Sequence, residues 1–373
     1  MTSDGSANPY PGLAPLLEGD VERFHGRRKL LGRLLEALKA RRCVVVLGPP
    51  GAGKTSLVRA GAVPALRREL GDSLLVLRLG HPGLQPFAQL ERQGLSRPAE
   101  DLPAAVRELA AELGSRRALF ICDHMEELLF QAGVAQQNLL AQILSLAEAA
   151  ASQHTAAAAG HAGLTISLLL VMRGDCMNAA SAMAPGLLPL VEEGALLLSG
   201  ALEIGEWTEM VLAPARAQGI PVDDGLLEAI GNDLNEHTAA RRAGRRSDAV
   251  LPLLQAALRR MWEARRGAGP ELPLTAEDYT ATGGITRALC ETSEAAWLAQ
   301  PHRLQTVQKR ILLSLLHTRG PSANALVLPR PRSFEELERL VDVPRHPGEA
   351  ADRHPPEAGA GAPPHVPIEE ALG

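Results

Sequence analysis

Aromatic residues are scarce in this chain: two tyrosines, three tryptophans and five phenylalanines, 3% of 373 residues. A core must therefore be built from leucine, valine and alanine, which the 46% hydrophobic content supplies. Cysteine is sparse too. Cys43, Cys122, Cys176 and Cys290 follow neither metal nor disulfide spacing. Two of them fall in or beside buried apolar runs, where a free thiol acts as a small hydrophobe, which suits a reducing cytoplasm. No basic stripe is visible: the net charge is −5, and pairs such as Arg41–Arg42 and Arg241–Arg242 are scattered, so nucleic acid is not expected as the main ligand. No apolar run is long enough to span a bilayer. The opening "MTSDGSANPYPGLAPLL" lacks the basic start and apolar stretch of a signal peptide. No repeat with a period of about 20 to 50 residues occurs. These absences describe a soluble, cytoplasmic chain with no membrane partner.

What is present is concentrated in "VVVLGPPGAGKTSLVRAGAVPALRREL", Val44 to Leu70. Its centre fits G-x-x-x-x-G-K-[ST] with Gly48, Gly53, Lys54 and Thr55. Gly48, Pro49, Pro50, Gly51, Ala52 and Gly53 form a loop of small residues and prolines whose backbone N–H groups can approach a phosphate chain. The next helix aims its positive end at the β-phosphate, Lys54 reaches the β- and γ-phosphates, and Thr55, with Ser56 beside it, supplies hydroxyls near Mg²⁺. Context supports the motif: Cys43 to Leu47 reads as a buried strand, and helical spacing runs through Leu57, Val58, Ala60, Val63 and Leu66.

Along the chain, Val21 to Ala40 reads as one amphipathic helix. Further buried strands are predicted at Ser73–Gly80, within Arg116–Phe130, at Leu164–Asp175 and at Ala195–Gly200, alternating with helices. Apolar strands of this kind belong to a parallel sheet covered on both faces. From Glu203 the strands stop and helical patterns take over, ending in the pair Ile285–Leu298 and Arg303–His317. Ten of the 28 prolines lie beyond Gly320, where only Ser333–Val341 looks helical. The patterns divide the chain into a turn-rich segment at 1–20, a three-layer α/β P-loop NTPase domain at 21–202, helical stretches at 203–273 and 274–343, and a disordered tail at 344–373.

A P-loop needs an acid to order Mg²⁺ and a group to polarise the attacking water. Asp123 stands where "ALFICD" leaves the sheet, and Glu126 and Glu127 come within one turn. Either glutamate is placed to act as the base, with Glu126 ahead by position; both also suit a helix N-terminus simply as acids. Arg173, at the end of "LVMRGD", is placed to contact a γ-phosphate or to form a surface ion pair with Asp175.

Seven blocks in order, over roughly residues 7 to 318, resemble the bacterial novel STAND NTPase module. They are "NPYPGLAPLLEGDVERFHGRRKLLGRLLEAL", the P-loop with "SLVRAGAVPALR", "ICDHMEELLF", "LVMRGD", "VLAPARAQGI", "LPLLQAALRRMWEAR" and "YTATGGITRAL". The resemblance implies an ATPase core of AAA+-like strand order, a helical lid at 203–273 and a partial winged helix at 274–343. It implies that ADP holds a closed monomer and that ATP permits assembly in signalling or defence. It places Gly26 and Arg27 against the adenine, Lys54, Thr55 and Asp123 on the phosphates and Mg²⁺, Arg173 on the sensor strand, and Pro252 over the base. Pro252 equally suits an ordinary helix-start proline. Arg28 replaces the usual acid, and His124 and Met125 replace a common glutamine and aromatic, which bears on catalytic rate. The winged helix dissolves before its wing, and neither a sensor nor an effector domain is evident. The reading is an ATP-binding, slowly hydrolysing switch with ATP/ADP and Mg²⁺ as cofactors, working by self-association or with separately encoded partners. The alternatives are a DNA-associated winged-helix regulator or loader, and an inactive fragment of a larger protein.

Overall fold

The computed structural model describes residues 8–130, 133–158, 163–242, 250–265, 272–319, 326–329 and 336–337. Residues 1–289 form one compact unit and residues 290–373 a second. The first holds α1 (Arg28–Ala40), β1 (Cys43–Gly48), α2 (Lys54–Ser56), α3 (Val63–Leu70), β2 (Leu74–Leu79), α4 (Pro86–Glu91), α5 (Leu102–Glu112), β3 (Arg117–Cys122) and α6 (Glu126–Phe130). It continues through α7 (Val134–Ala158), β4 (Thr165–Arg173), α8 (Met177–Met183), α9 (Leu187–Gly194), β5 (Ala195–Leu197), α10 (Ile204–Ala217), α11 (Asp224–Arg242), α12 (Val250–Ala264) and α13 (Ala276–Ala281). Helix α14 (Gly284–Leu298) begins there and runs into the second unit, which holds α15 (His302–Ser314), β6 (Leu316–Arg319) and β7 (Leu326–Pro329).

The sheet is five-stranded and parallel, in the order β2-β3-β4-β1-β5, the arrangement the family resemblance implies. Side chains alternate between two cores because a strand's residues point to opposite faces in turn. Val45, Leu47, Phe120, Cys122, Leu168 and Leu170 enter one core with α5 and α7. Val44, Val46, Leu119, Ile121, Leu169 and Val171 enter the other with α1 and α3. Both faces are covered, so the strands read as unbroken apolar runs. A third core joins α10, α11, α12 and α13 through Trp207, Val211, Leu226, Ile230, Leu254 and Met261. Tyr10 is buried in this helical core, and its hydroxyl donates to the Val211 carbonyl at 2.9 Å.

Three local readings change. The single helix expected over Val21–Ala40 is broken: a 3₁₀ turn, Glu18–Arg23, precedes α1, and Gly26 between them has φ +77°. That left-handed conformation cannot continue a helix and suits glycine alone here, because a Cβ would overlap the Glu206 carbonyl oxygen. The helix after the P-loop contains a π-helical turn, Leu57–Ala62, in which the Val63 N–H donates to the Val58 carbonyl. Pro64 comes at once after it, and a residue without an N–H is accommodated by this change of register. Finally, α15 ends at Ser314, short of His317, and β6 pairs antiparallel with β7, where a helix end and no wing were expected. Four-residue strands are too short for a sequence period to reveal. The helix expected at Ser333–Val341 lies outside the described residues except for Glu336 and Leu337, and the expected disordered tail lies wholly outside them. Among the described residues, no helix is long and apolar enough to cross a membrane.

Candidate functional site

Strand β1 ends at Gly48, and the loop to α2 turns twice through left-handed glycines, Gly51 (φ +74°) and Gly53 (φ +82°). These conformations lay the loop backbone along the cavity. The Lys54 ammonium donates to the carbonyls of Gly48 and Pro49 at 3.0 and 3.1 Å. Burial pushes the Lys54 pKa down, opposed by the carboxylates of Glu126 and Asp123. The Ser56 hydroxyl accepts from the Leu16 N–H at 3.1 Å, which ties residues 12–16 to the phosphate-loop helix.

The acids come from the end of β3. Asp123 is buried, its N–H donates to the Leu79 carbonyl at 2.9 Å, and its Oδ1 accepts from the His124 N–H at 2.9 Å. His124 sits at φ +53°, so the chain turns sharply and delivers Glu126 to the start of α6. Glu126 is buried, and its Oε2 accepts from the Arg173 backbone N–H at 3.2 Å. Its Oε1 lies 3.6 Å from His124 Nδ1, an ion-pair separation. Burial alone would raise the Glu126 pKa; His124 and the backbone N–H groups of Glu126 and Arg173 outweigh it and hold the carboxyl below its usual range. The same pairing with Glu126 raises His124, against burial.

The two glutamates part company. The Glu127 carboxylate receives His81 Nδ1 at 3.0 Å on one oxygen and the Gly83 N–H at 3.0 Å on the other, so it braces the loop after β2. The His81 and His124 rings stack 5.3 Å apart, bridging the two braces. Arg173 aligns in register with Gly48 across β4 and β1, but its guanidinium grips Asp175 at 3.1 and 2.6 Å. Of its two sequence readings the structure shows the ion pair, and Arg173 also lines the cavity.

One cavity of about 380 Å³ brings most of these residues together. Pro50, Gly51, Gly53, Lys54, Thr55 and Ser56 line it with Glu126, Arg173, Arg27 and Pro252. Gly48, Pro49, Ala52, Asp123, Glu127 and Gly26 are not in its wall. Ala52 is buried beneath the loop, and Gly26 acts by setting the turn that delivers Arg27. Arg27 is buried and its Nη1 donates to Glu206 Oε1 at 2.8 Å, joining the turn before α1 to α10. The sequence reading missed Gly12–Leu16, Phe24, His25, Met210, Leu251 and Gln255, which help complete the wall. The signal available for the first was "NPYPGLAPLL", a Pro-punctuated apolar stretch carrying one of only two tyrosines. Nothing local marks Met210 or Gln255.

Among the described residues, no group of three or more His, Cys, Asp and Glu side chains could hold a metal ion by itself. The donors present, the Thr55 hydroxyl and the buried Asp123 carboxylate, are hard oxygens. They fit Mg²⁺, which binds through one or two protein oxygens, substrate phosphates and water.

The profile of the Novel STAND NTPase 1 family matches residues 9–346. A search of curated proteins gives no match. Among solved structures, the chain is similar to the ORC2 protein of Aeropyrum pernix in ADPNP–ADP complexes, with 15% identity and TM-score 0.48, covering 91% of this chain and 96% of that one. It is also similar to a Walker-type ATPase of Pyrococcus abyssi (15% identity, TM-score 0.42, 79% and 82% covered). A third is the Drosophila ORC bound to DNA (13%, 0.40, 92% and 94%).

Proposed function

The chain belongs to the Novel STAND NTPase 1 family and is a nucleotide-binding NTPase; from that premise we propose that it is an ATP-dependent switch that hydrolyses ATP slowly. The observation that carries this reading is the single cavity walled by the phosphate loop, by Glu126 and by Leu251 and Pro252 of α12. Lys54 and the loop N–H groups bind the phosphates; Thr55 and Asp123 would hold Mg²⁺, which would offset charge developing on the phosphates. Glu126, held ionised, orients a water and accepts its proton. Its fixed geometry, on a backbone N–H and beside His124, supplies the positioning on which phosphoryl transfer depends. Residues 203–273 act as the lid over an NTPase domain at 21–202, and a partial winged-helix region occupies 274–343.

Because the cavity wall includes both sheet-domain and lid residues, a bound nucleotide contacts both. A ligand shifts a two-state equilibrium only through such differential contacts. ATP, and not ADP, drives self-association or engagement of a separately encoded signalling partner. Calorimetry with ATP and Mg²⁺ tests the binding: Lys54→Ala abolishes it while leaving the fold intact, and equal affinity in the two proteins would overturn the reading. Light scattering of Glu126→Gln with ATP, with ADP and with neither tests the switch. A monomer under all three conditions would reject ATP-driven self-association.

A further inference from the structure

Most polar side chains facing the cavity already have partners in the protein. Lys54 donates to loop carbonyls, Glu126 accepts from the Arg173 N–H and Arg173 grips Asp175. Two side chains in the wall differ. Arg27 is only 7% exposed, and although its Nη1 is bound to Glu206, its Nε and Nη2 are buried with no hydrogen-bond partner. Gln255 Oε1 is likewise buried and without a partner. Among the described residues, no other side chain of this wall has a buried nitrogen or oxygen in that condition. Buried polar atoms are normally satisfied, so an unpaired donor and an unpaired acceptor on one wall point to a ligand that supplies both complements.

Their place in the fold says which part of the ligand that is. Leu251 lies against the phosphate loop: a Cβ on Gly53 would stand 3.0 Å from Leu251 Cδ2. Gln255 is one helical turn farther along α12, about 5–6 Å on by helix rise. Arg27 comes from the turn before α1 and is held by α10, outside the phosphate loop. The same wall carries Phe24, Met210 and Pro252, apolar side chains suited to the faces of a flat ring.

We propose that Gln255 reads the base of the bound nucleotide: its Oε1 accepts from an exocyclic 6-amino group, on the wall where Arg27, which the family resemblance sets against the adenine, has donors free for a neighbouring ring nitrogen. This rests on the reading of the cavity as a nucleoside-triphosphate site. An acceptor beside a donor matches adenine, whose amino group neighbours unprotonated ring nitrogens. A 6-oxo purine sets its carbonyl oxygen against Gln255 Oε1, and two acceptors then face each other at a buried atom. Specificity of this kind comes from leaving a buried polar group unpaired with the wrong ligand. Gln255 is thus a specificity-determining residue, separate from the phosphate and base-catalysis machinery.

The test measures the affinity of the full chain, with Mg²⁺, for ATP, for purine riboside triphosphate (hydrogen at C6) and for inosine triphosphate. The wild type binds ATP about tenfold more tightly than the C6–H analogue, one hydrogen bond's worth, and inosine triphosphate more weakly still. Gln255→Met loses that ratio by weakening ATP alone. Gln255→Glu, which keeps the acceptor, retains the ratio even if both affinities shift. A wild type indifferent to the 6-amino group, a preference for inosine triphosphate, or a Gln255→Met variant that weakens all three ligands equally would overturn the assignment. Failure of every triphosphate to bind would instead overturn the nucleotide reading beneath it.

Discussion

The Glu126 carboxylate accepts a hydrogen bond from the Arg173 backbone N–H at 3.2 Å, so the acid after β3 is clamped to the tip of β4. Glu127, its neighbour in sequence, faces away to His81 and Gly83. Glu126→Gln is therefore expected to bind ATP and to lose hydrolysis by on the order of a hundredfold or more, the range for removing a general base. Glu127→Gln should retain most of the rate and lower the melting temperature instead. Single-turnover assays on both decide it; a larger rate loss at Glu127 would reverse the assignment.

Gly26→Ala should destabilise the chain by about 1–3 kcal/mol, the cost of holding a non-glycine residue in a strained conformation, because φ is +77° and the new Cβ meets the Glu206 carbonyl. The overlap also pushes α10 away from Arg27, so nucleotide affinity should fall with stability. Thermal denaturation with and without ATP measures both effects. An unchanged melting temperature would contradict the turn as described.

Tyr10 is buried among lid residues and its hydroxyl donates to the Val211 carbonyl. Tyr10→Phe keeps the packing and removes that hydrogen bond, while the carbonyl keeps its place in the α10 helix ladder, at a cost of about 0.5–1.5 kcal/mol. Tyr10→Ala adds a cavity and should cost about 3–5 kcal/mol, as for other large aromatic truncations. Denaturant unfolding separates the two, and near-equal values would show that the hydroxyl dominates.

His124 and Glu126 make stability depend on pH in opposite senses. The His124 pKa is raised by its pairing with Glu126. Its contribution is therefore complete below the unfolded value, about 6.5, and is lost as pH climbs through the folded pKa above it. The Glu126 pKa is lowered. Its contribution is present above the ordinary carboxylate value, about 4.3, and is lost as pH falls through the folded pKa below it. Raising pH from about 6 to about 9, across the histidine range, should thus lower the melting temperature of the wild type more than that of His124→Gln. Coincident pH profiles would show that the pairing contributes nothing.

The strands, the phosphate loop and the strand-end acid were legible in the sequence because each is a local pattern with a local cause. A parallel strand buried on both faces must be apolar throughout, as in β1, β3 and β4, and a loop that wraps phosphates must be glycine-rich. The helices α10 to α13 were legible for the same reason, since amphipathic helices keep their period whatever they pack against. Only the tertiary structure separated Glu126 from Glu127 and set Arg27 and Gln255 on one wall. It also buried Tyr10 against Val211, 201 residues away. Those outcomes rest on contacts between segments far apart in the chain, and on left-handed turns at Gly26 and His124 that redirect the backbone beyond them. A residue's type limits which partners it can take; which one it meets is decided by where the rest of the chain has already gone.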